Sequence, residues 1–186
     1  MKVRISGGKH RGRQISSSAN RRLRPTTELV RSALFSMIGL EAIKGANVLD
    51  LYAGTGIMAM EAISRGAEIA DIVEVDLSKT KNIEKNLKHI SMIDQVTIYR
   101  GKVIGTLGKL TRKYDLVFAD PPYDTREWDQ LMSGLSNSNV LAQGSVIFAE
   151  HLYNHSLEPS YGSLERVSER KYGHTGISMY KEKHNG

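Results

Sequence analysis

Asp120-Pro121-Pro122-Tyr123 follows a largely apolar run, Tyr114 to Ala119, of the kind that forms a buried strand. A carboxylate, two prolines and an aromatic ring at a strand exit suit one chemical task. An exocyclic amine on a nucleobase is a poor nucleophile, because its lone pair is delocalised into the ring. Acceptors aimed at both N–H bonds draw the nitrogen toward tetrahedral geometry and free the lone pair. Asp120 can supply one acceptor and the carbonyl of Pro121 the other. Pro121 and Pro122 have no N–H and a fixed φ, so the turn is stiff and the carbonyl direction is preset. Tyr123 can stack on a base taken out of its helix. Group transfer to that nitrogen then needs mainly proximity and in-line alignment. The plain alternative is a rigid loop after a buried strand.

A second cluster lies upstream. Asp50-Leu51-Tyr52-Ala53-Gly54-Thr55-Gly56 follows the run Val48–Leu51 and opens a helical stretch. Gly54 and Gly56 permit backbone conformations and a close ligand approach that side chains would block. The next apolar run ends in Glu74-Val75-Asp76, where a carboxylate can accept two hydrogen bonds from a ribose diol. The spacing is neither a GxGxxG dinucleotide fingerprint nor a P-loop. Glycine loop and acid together point to a nucleoside, with Glu74 as the ribose ligand and Asp76 as the alternate.

Other chemistries fit poorly. The 186 residues contain no cysteine, which excludes disulfides, thiolate metal sites and a cysteine nucleophile, including the covalent route to pyrimidine C5. The six histidines are scattered; only His151 and His155 share an i, i+4 spacing, no third metal ligand is obvious, and both read as solvated. We therefore expect no metal. No apolar stretch approaches the roughly 20 residues needed to span a bilayer, and no signal peptide is legible, so a cytoplasmic protein without membrane contact is expected.

The elements that must position these residues alternate. Short apolar runs at 48–51, 69–75, 96–99, 114–119 and 145–149 are separated by helical stretches at 57–65, 78–89 and 128–135, with Ser78 as a candidate cap. That alternation predicts a doubly wound, mostly parallel sheet, whose ligand face lies at the carboxyl ends of the strands. Two β-like runs, 166–172 and 177–181, lack an intervening helix and predict an antiparallel hairpin at the sheet edge. A helix from Thr26 or Thr27 through Leu40 should bury Leu29, Val30, Ala33, Leu34, Met37 and Ile38, with Gly39 or Gly45 as its end. Residues 1–24 read as a separate small β-hairpin unit, and residues 25–186 as the main domain.

Charge marks out the same N-terminal unit. The net charge is +6, and nine of the basic residues precede position 32, where only Glu28 opposes them. Lys9, Arg11, Arg13 and Arg24 are candidate contacts to a polyphosphate backbone. The alternative is a solvated basic tail.

These motifs carry a family resemblance. Asp50 to Gly56 resembles motif I of the class I methyltransferases, and Asp120 to Tyr123 resembles the (D/N/S)-P-P-(Y/F) motif of amino-group methyltransferases. Arg4 to Arg13, Leu23 to Thr27, Val30 to Phe35 and Glu61 to Ala67, continuing through Glu74, Asn86, Asp120–Tyr123 and Glu150, resemble the RsmD-type methyltransferases over nearly the whole chain. The resemblance implies a Rossmann-like fold and transfer from S-adenosylmethionine, leaving S-adenosylhomocysteine. Its acceptor would be the N2 amine of a guanine in bacterial small-subunit ribosomal RNA, naked or in a subunit particle. It implies Asp50, Tyr52, Ala53, Gly54, Thr55, Gly56, Glu74, Val75 and Asp120 as cofactor contacts and Asp120, Pro121, Pro122 and Tyr123 as the catalytic turn. Three residues depart from it. Ser32 and Ser36 replace the usual glutamate and asparagine, and Lys102 replaces an aspartate near the adenine amine, a contact that a backbone carbonyl would then have to make.

Two other functions share parts of this pattern. A DNA methyltransferase acting on adenine N6 or cytosine N4 would use the same chemistry, but such enzymes usually carry added sequence for site recognition. A non-catalytic RNA-binding or assembly protein would not need an intact Asp120–Tyr123. A monomer is expected.

Overall fold

A computed structural model describes residues 2–17, 28–122 and 127–183. The chain opens with β1 (Lys2–Arg4) and β2 (Gln14–Ser16), an antiparallel pair with Val3 opposite Ile15. Then come α1 (Glu28–Ile38), α2 (Leu40–Ile43), β3 (Asn47–Leu51), α3 (Ile57–Ser64), β4 (Ile69–Glu74), α4 (Leu77–His89), β5 (Val96–Arg100), α5 (Val103–Leu107), β6 (Tyr114–Ala119), α6 (Trp128–Asn137), β7 (Leu141–Leu152), β8 (Ser160–Tyr161), β9 (Leu164–Tyr172) and β10 (Thr175–Glu182).

Eight strands form one sheet in the order β5-β4-β3-β6-β7-β10-β9-β8. β5 through β7 are parallel, and the β9–β10 hairpin adds to β7 in antiparallel fashion, as the missing helix between those runs predicts. The order reverses between β3 and β6, which places a crevice for ligands at their carboxyl ends.

Each face of the sheet carries its own core. On one face Val48, Ile72, Leu116, Phe118 and Phe148 pack under α1, α3, α4 and the β1–β2 hairpin. On the other, Leu49, Leu51, Val117 and Ile147 pack against α5 and α6. The period-2 alternation within β3, where Val48 points one way and its neighbours the other, gives this three-layer arrangement.

The N-terminal hairpin shares the first core: Ile5 and Ile15 are completely buried there. Its Gly7-Gly8 corner lies on the end of α3. A Cβ on Gly8 would overlap the Ser64 carbonyl, and one on Gly7 would overlap the Arg65 guanidinium. The Lys9 and His10 amides donate to the Ser64 carbonyl and hydroxyl, and Ser16 is held by Asn82 and Asn86 of α4.

α1 buries a face rotated from the predicted one. Val30, Arg31, Leu34 and Phe35 are inside, whereas Leu29 is 74% exposed and Met37 lies at the surface. The cause is Arg31, only 1% exposed. Its Nε donates to Glu61 of α3 at 2.9 Å, and a second guanidinium nitrogen donates to the Arg4 carbonyl at 2.7 Å. Glu61 also receives the Ser6 amide and the Arg65 side chain, and Arg65 lies over the Phe35 ring. A buried carboxylate bridging two guanidiniums thus holds hairpin, α1 and α3 together. The helix ends at Gly39, whose φ of 78° belongs to the left-handed region.

Candidate active site at the carboxyl ends of the parallel strands

The loop after β3 folds back sharply. Tyr52, Gly54 and Gly56 all have positive φ, at 58°, 56° and 72°, and the Gly56 amide closes a tight turn onto the Ala53 carbonyl at 2.7 Å. Tyr52 is not a glycine, so its left-handed conformation stores strain of the kind that clusters at ligand sites. Gly56 starts α3 with its Cα against Ile72 and Ile83, where a side chain would crowd both.

Two carboxylates hold this loop from beneath. Asp50 is buried and accepts the Ala59 amide of α3 at 3.1 Å. Burial, with Glu74 nearby, pushes its carboxyl up to about 8 despite that hydrogen bond. Glu74, at the end of β4, accepts the Gly54 amide at 2.9 Å through one oxygen and the Asp76 amide at 2.9 Å through the other. The Lys79 ammonium stands 3.8 Å from the oxygen that accepts the Gly54 amide, and each oxygen has a second lone pair that can accept from a ligand. Asp76 instead caps α4, accepting the Lys79 amide at 2.9 Å; the cap is Asp76 rather than the expected Ser78. Beside Glu74, Val75 is 58% exposed and Leu77 is also open to solvent, an apolar step at the strand end. Ala53 and Thr55 lie within the loop, Thr55 buried.

Asp120 follows β6 directly, and its amide reaches back to the Leu51 carbonyl at 3.4 Å, beside the glycine loop. Asp120 is exposed to solvent. Protein crowded around it, and then the Glu150 and Asp50 carboxylates, raise its carboxyl well above the usual range. Pro121 is buried and Pro122 exposed. The predicted Tyr123 and Arg24 lie outside the described residues. Tyr52 has a buried hydroxyl, pushed up to about 12 by burial and then by the Glu127 carboxylate.

The strand ends therefore gather the carboxyl groups of Asp50, Glu74, Asp120 and Glu150, with Asp50 and Asp120 held toward their protonated forms. A ligand that donates hydrogen bonds or carries positive charge suits that cluster. Lys102 is exposed at the start of α5, and its carbonyl accepts the Thr106 hydroxyl at 2.8 Å.

The structure does not bring Lys9, Arg11 and Arg13 to this crevice. All three are exposed, but they stand beside the carboxyl-terminal ends of α3 and α4, where the Arg13 guanidinium donates to the Ile90 carbonyl. Those helix ends lead back to the amino-terminal edge of the sheet. The cations are thus about a strand length, roughly 17–20 Å, from the level of Asp120.

Two features escaped the sequence. The Arg31–Glu61–Arg65 network was signalled only by a charge inside an apolar helix face and by the i, i+4 spacing of Glu61 and Arg65. His151 is buried rather than solvated: its ring lies between the Leu152 carbonyl and the Ser178 hydroxyl, edge-on to Trp128, and burial lowers its proton affinity. Among the described residues no group of His, Cys, Asp or Glu is arranged to hold a metal, and no helix is long and apolar enough to cross a membrane.

Comparison with known proteins agrees with this geometry. Residues 3–181 match the family model described as conserved hypothetical protein 95. The Bacillus subtilis protein YlbH, named provisionally as an rRNA methyltransferase, is 30% identical over 184 residues, covering 97% of this chain and all of that one. Ribosomal RNA small subunit methyltransferase D of Escherichia coli is 29% identical over 186 residues, covering 99% of this chain and 92% of that one. Among solved structures, the Escherichia coli protein yhhF, named provisionally as a methyltransferase, superposes with a TM-score of 0.89 at 25% identity, covering 98% of this chain and 99% of that one.

Proposed function

The chain belongs to the conserved hypothetical protein 95 family, and on that premise we propose that it transfers a methyl group from S-adenosylmethionine to the N2 amine of a guanine in small-subunit ribosomal RNA. The observation that carries the reading is the pairing of Asp120-Pro121-Pro122 with the strained glycine loop across adjacent strand ends. The relatives' names favour ribosomal RNA over DNA and a catalyst over a binding protein.

The residues present fit the cofactor. Its cationic groups suit the carboxylates beside the glycine loop, its ribose suits the second lone pairs of the Glu74 oxygens, and its adenine suits the exposed apolar step of Val75 and Leu77. When bound, S-adenosylmethionine supplies an electrophilic methyl carbon on a sulfonium leaving group. Asp120 would accept one N–H of the target amine and the Pro121 carbonyl the other, leaving the nitrogen lone pair free for transfer, and the proton that the nitrogen sheds on methylation would pass to the Asp120 carboxylate. Asp50 works from beneath by holding the start of α3, and Tyr123 stacks on the extruded base.

Labelled-methyl transfer to ribosomal RNA, duplex DNA and a no-acceptor control tests the reading. Label in ribosomal RNA, recovered as N2-methylguanine, is the expected result; label in DNA alone overturns it.

Glu74→Ala should weaken cofactor binding before it touches chemistry. Removal of a charge-assisted pair costs about 1.5–3 kcal/mol, and here the Gly54 amide also loses its acceptor. Calorimetric titration with S-adenosylmethionine checks this, and unchanged affinity would reassign the ribose to another group.

We also propose that residues 1–24 act as an RNA arm. Since Lys9, Arg11 and Arg13 stand at the far edge of the sheet, they can grip phosphates but not the target base. Neutralising all three should weaken binding to many RNA sequences alike and flatten the salt dependence by about 0.7–0.9 in log K against log salt per lost contact. Affinity measured across several salt concentrations decides the matter; an unchanged slope in the folded variant eliminates the arm.

A further inference from the structure

The carboxyl edge of the sheet continues past the crevice. Beyond β7 it is formed by the segment after that strand and by the β9–β10 turn. There Leu152, Tyr153, Asn154, Lys171, Gly173 and His174 line a pocket of about 250 Å³. The two segments that build it, residues 151–157 and 170–175, contain three histidines, one arginine, one lysine, two tyrosines and one asparagine, and no aspartate or glutamate. Glu150, Glu158 and Glu169 border these segments, so it is the pocket lining itself that lacks a carboxylate.

The pocket is also firmly built. The Tyr153 amide donates to the His174 carbonyl at 2.9 Å, tying the end of β7 to the hairpin turn, and the His155 amide closes onto the Leu152 carbonyl at 2.9 Å. The Lys171 ammonium lies 4.3 Å from the centroid of the Tyr153 ring. Tyr153, Asn154, Lys171 and His174 nonetheless remain exposed. An aromatic surface, a cation and an amide held in a concavity are what a single-stranded nucleotide requires: a face for the base, a charge for the phosphate and a polar group for an edge.

Location supplies the rest. β6, which leads into Asp120, and β9, which carries Lys171, are three steps apart in the sheet, β6-β7-β10-β9. At about 4.8 Å per step the pocket lies about 14 Å from the catalytic turn, along the same edge. A few nucleotides of single-stranded RNA cover that distance.

We propose that this pocket holds a nucleotide of the substrate RNA near the target guanine, with its base on the face of Tyr153 that Lys171 does not cover and its phosphate on Lys171. The proposal rests on the RNA-methylating function argued above. It gives the enzyme a second hold on the substrate at the catalytic edge, which the distant basic arm does not provide.

The test compares the intact protein with Tyr153→Ala, Tyr153→Phe and Lys171→Glu. For each, affinity for small-subunit ribosomal RNA, affinity for S-adenosylmethionine and the kinetics of methyl transfer are measured. Tyr153→Ala should weaken RNA binding by about 5- to 150-fold, the range for one lost base–aromatic stack. Tyr153→Phe, which keeps the ring, should bind as wild type. Lys171→Glu should weaken RNA binding and lower the salt slope, and in all three cofactor affinity should hold. Wild-type transfer to RNA with Tyr153→Ala and Lys171→Glu indistinguishable from it overturns the pocket and leaves the function standing. Failure of the wild type to methylate any RNA overturns the function, and the pocket's role with it.

Discussion

Asp120→Ala is expected to lower the rate of methyl transfer by about 10²–10³ or more while leaving the affinity for S-adenosylmethionine largely unchanged. Removing one preorganised hydrogen-bond partner from a transition state costs about 2.7–4 kcal/mol when water cannot replace it. Asp120 contacts the amine in this mechanism, so its loss should appear in kcat rather than in cofactor binding. The wild-type pH profile carries a linked expectation. Crowding and the Glu150 and Asp50 carboxylates hold the Asp120 carboxyl above the usual range, so the ionised acceptor should be lost, and turnover with it, as pH falls through that raised value. Single-turnover measurements with calorimetry on the same preparations check both points. A folded variant with near-normal turnover would remove Asp120 from the mechanism.

Glu61→Gln should destabilise the fold by about 3–5 kcal/mol, the range for breaking a buried ion pair from one side. Arg31 is almost wholly buried, and Glu61 bridges it to Arg65 while accepting the Ser6 amide. The amide cannot balance two guanidiniums, one of them nearly without solvent. Urea denaturation of wild type and variant measures the loss. A change below about 1 kcal/mol, the usual scale of an exposed pair, would mean that the network contributes little to stability.

The parallel core of the fold was legible because each buried strand is a short apolar run followed by a turn, and the glycine loop and Asp120–Pro122 stand where those runs end. What could not be read was set by contacts distant in sequence. Leu29 looked like a core residue because periodicity weighs hydrophobicity; the helix turned instead to bury Arg31 against a carboxylate 30 positions away. Ser78 was expected to cap α4, but the helix begins one residue earlier, at Leu77, and Asp76 takes that place. α5 was missed because five residues are too few to display a helical period. The placement of the basic arm is a topological outcome: nothing in residues 1–17 says which end of α3 they will meet.

That meeting point limits how the hairpin can be re-engineered. Its corner needs a glycine at position 8 because the backbone at the end of α3 leaves no room for a Cβ there, the Arg4 carbonyl and the Ser6 amide are pinned to Arg31 and Glu61, and its second strand leans on Asn82 and Asn86. A basic hairpin from another enzyme, spliced in at residue 17, would bring its own charges but not this seat. The arm is not a portable cassette. A chimera that borrows the hairpin of another enzyme must carry the receiving residues on α1, α3 and α4 along with it, or its new cations will hang from an unanchored tether and add charge without register.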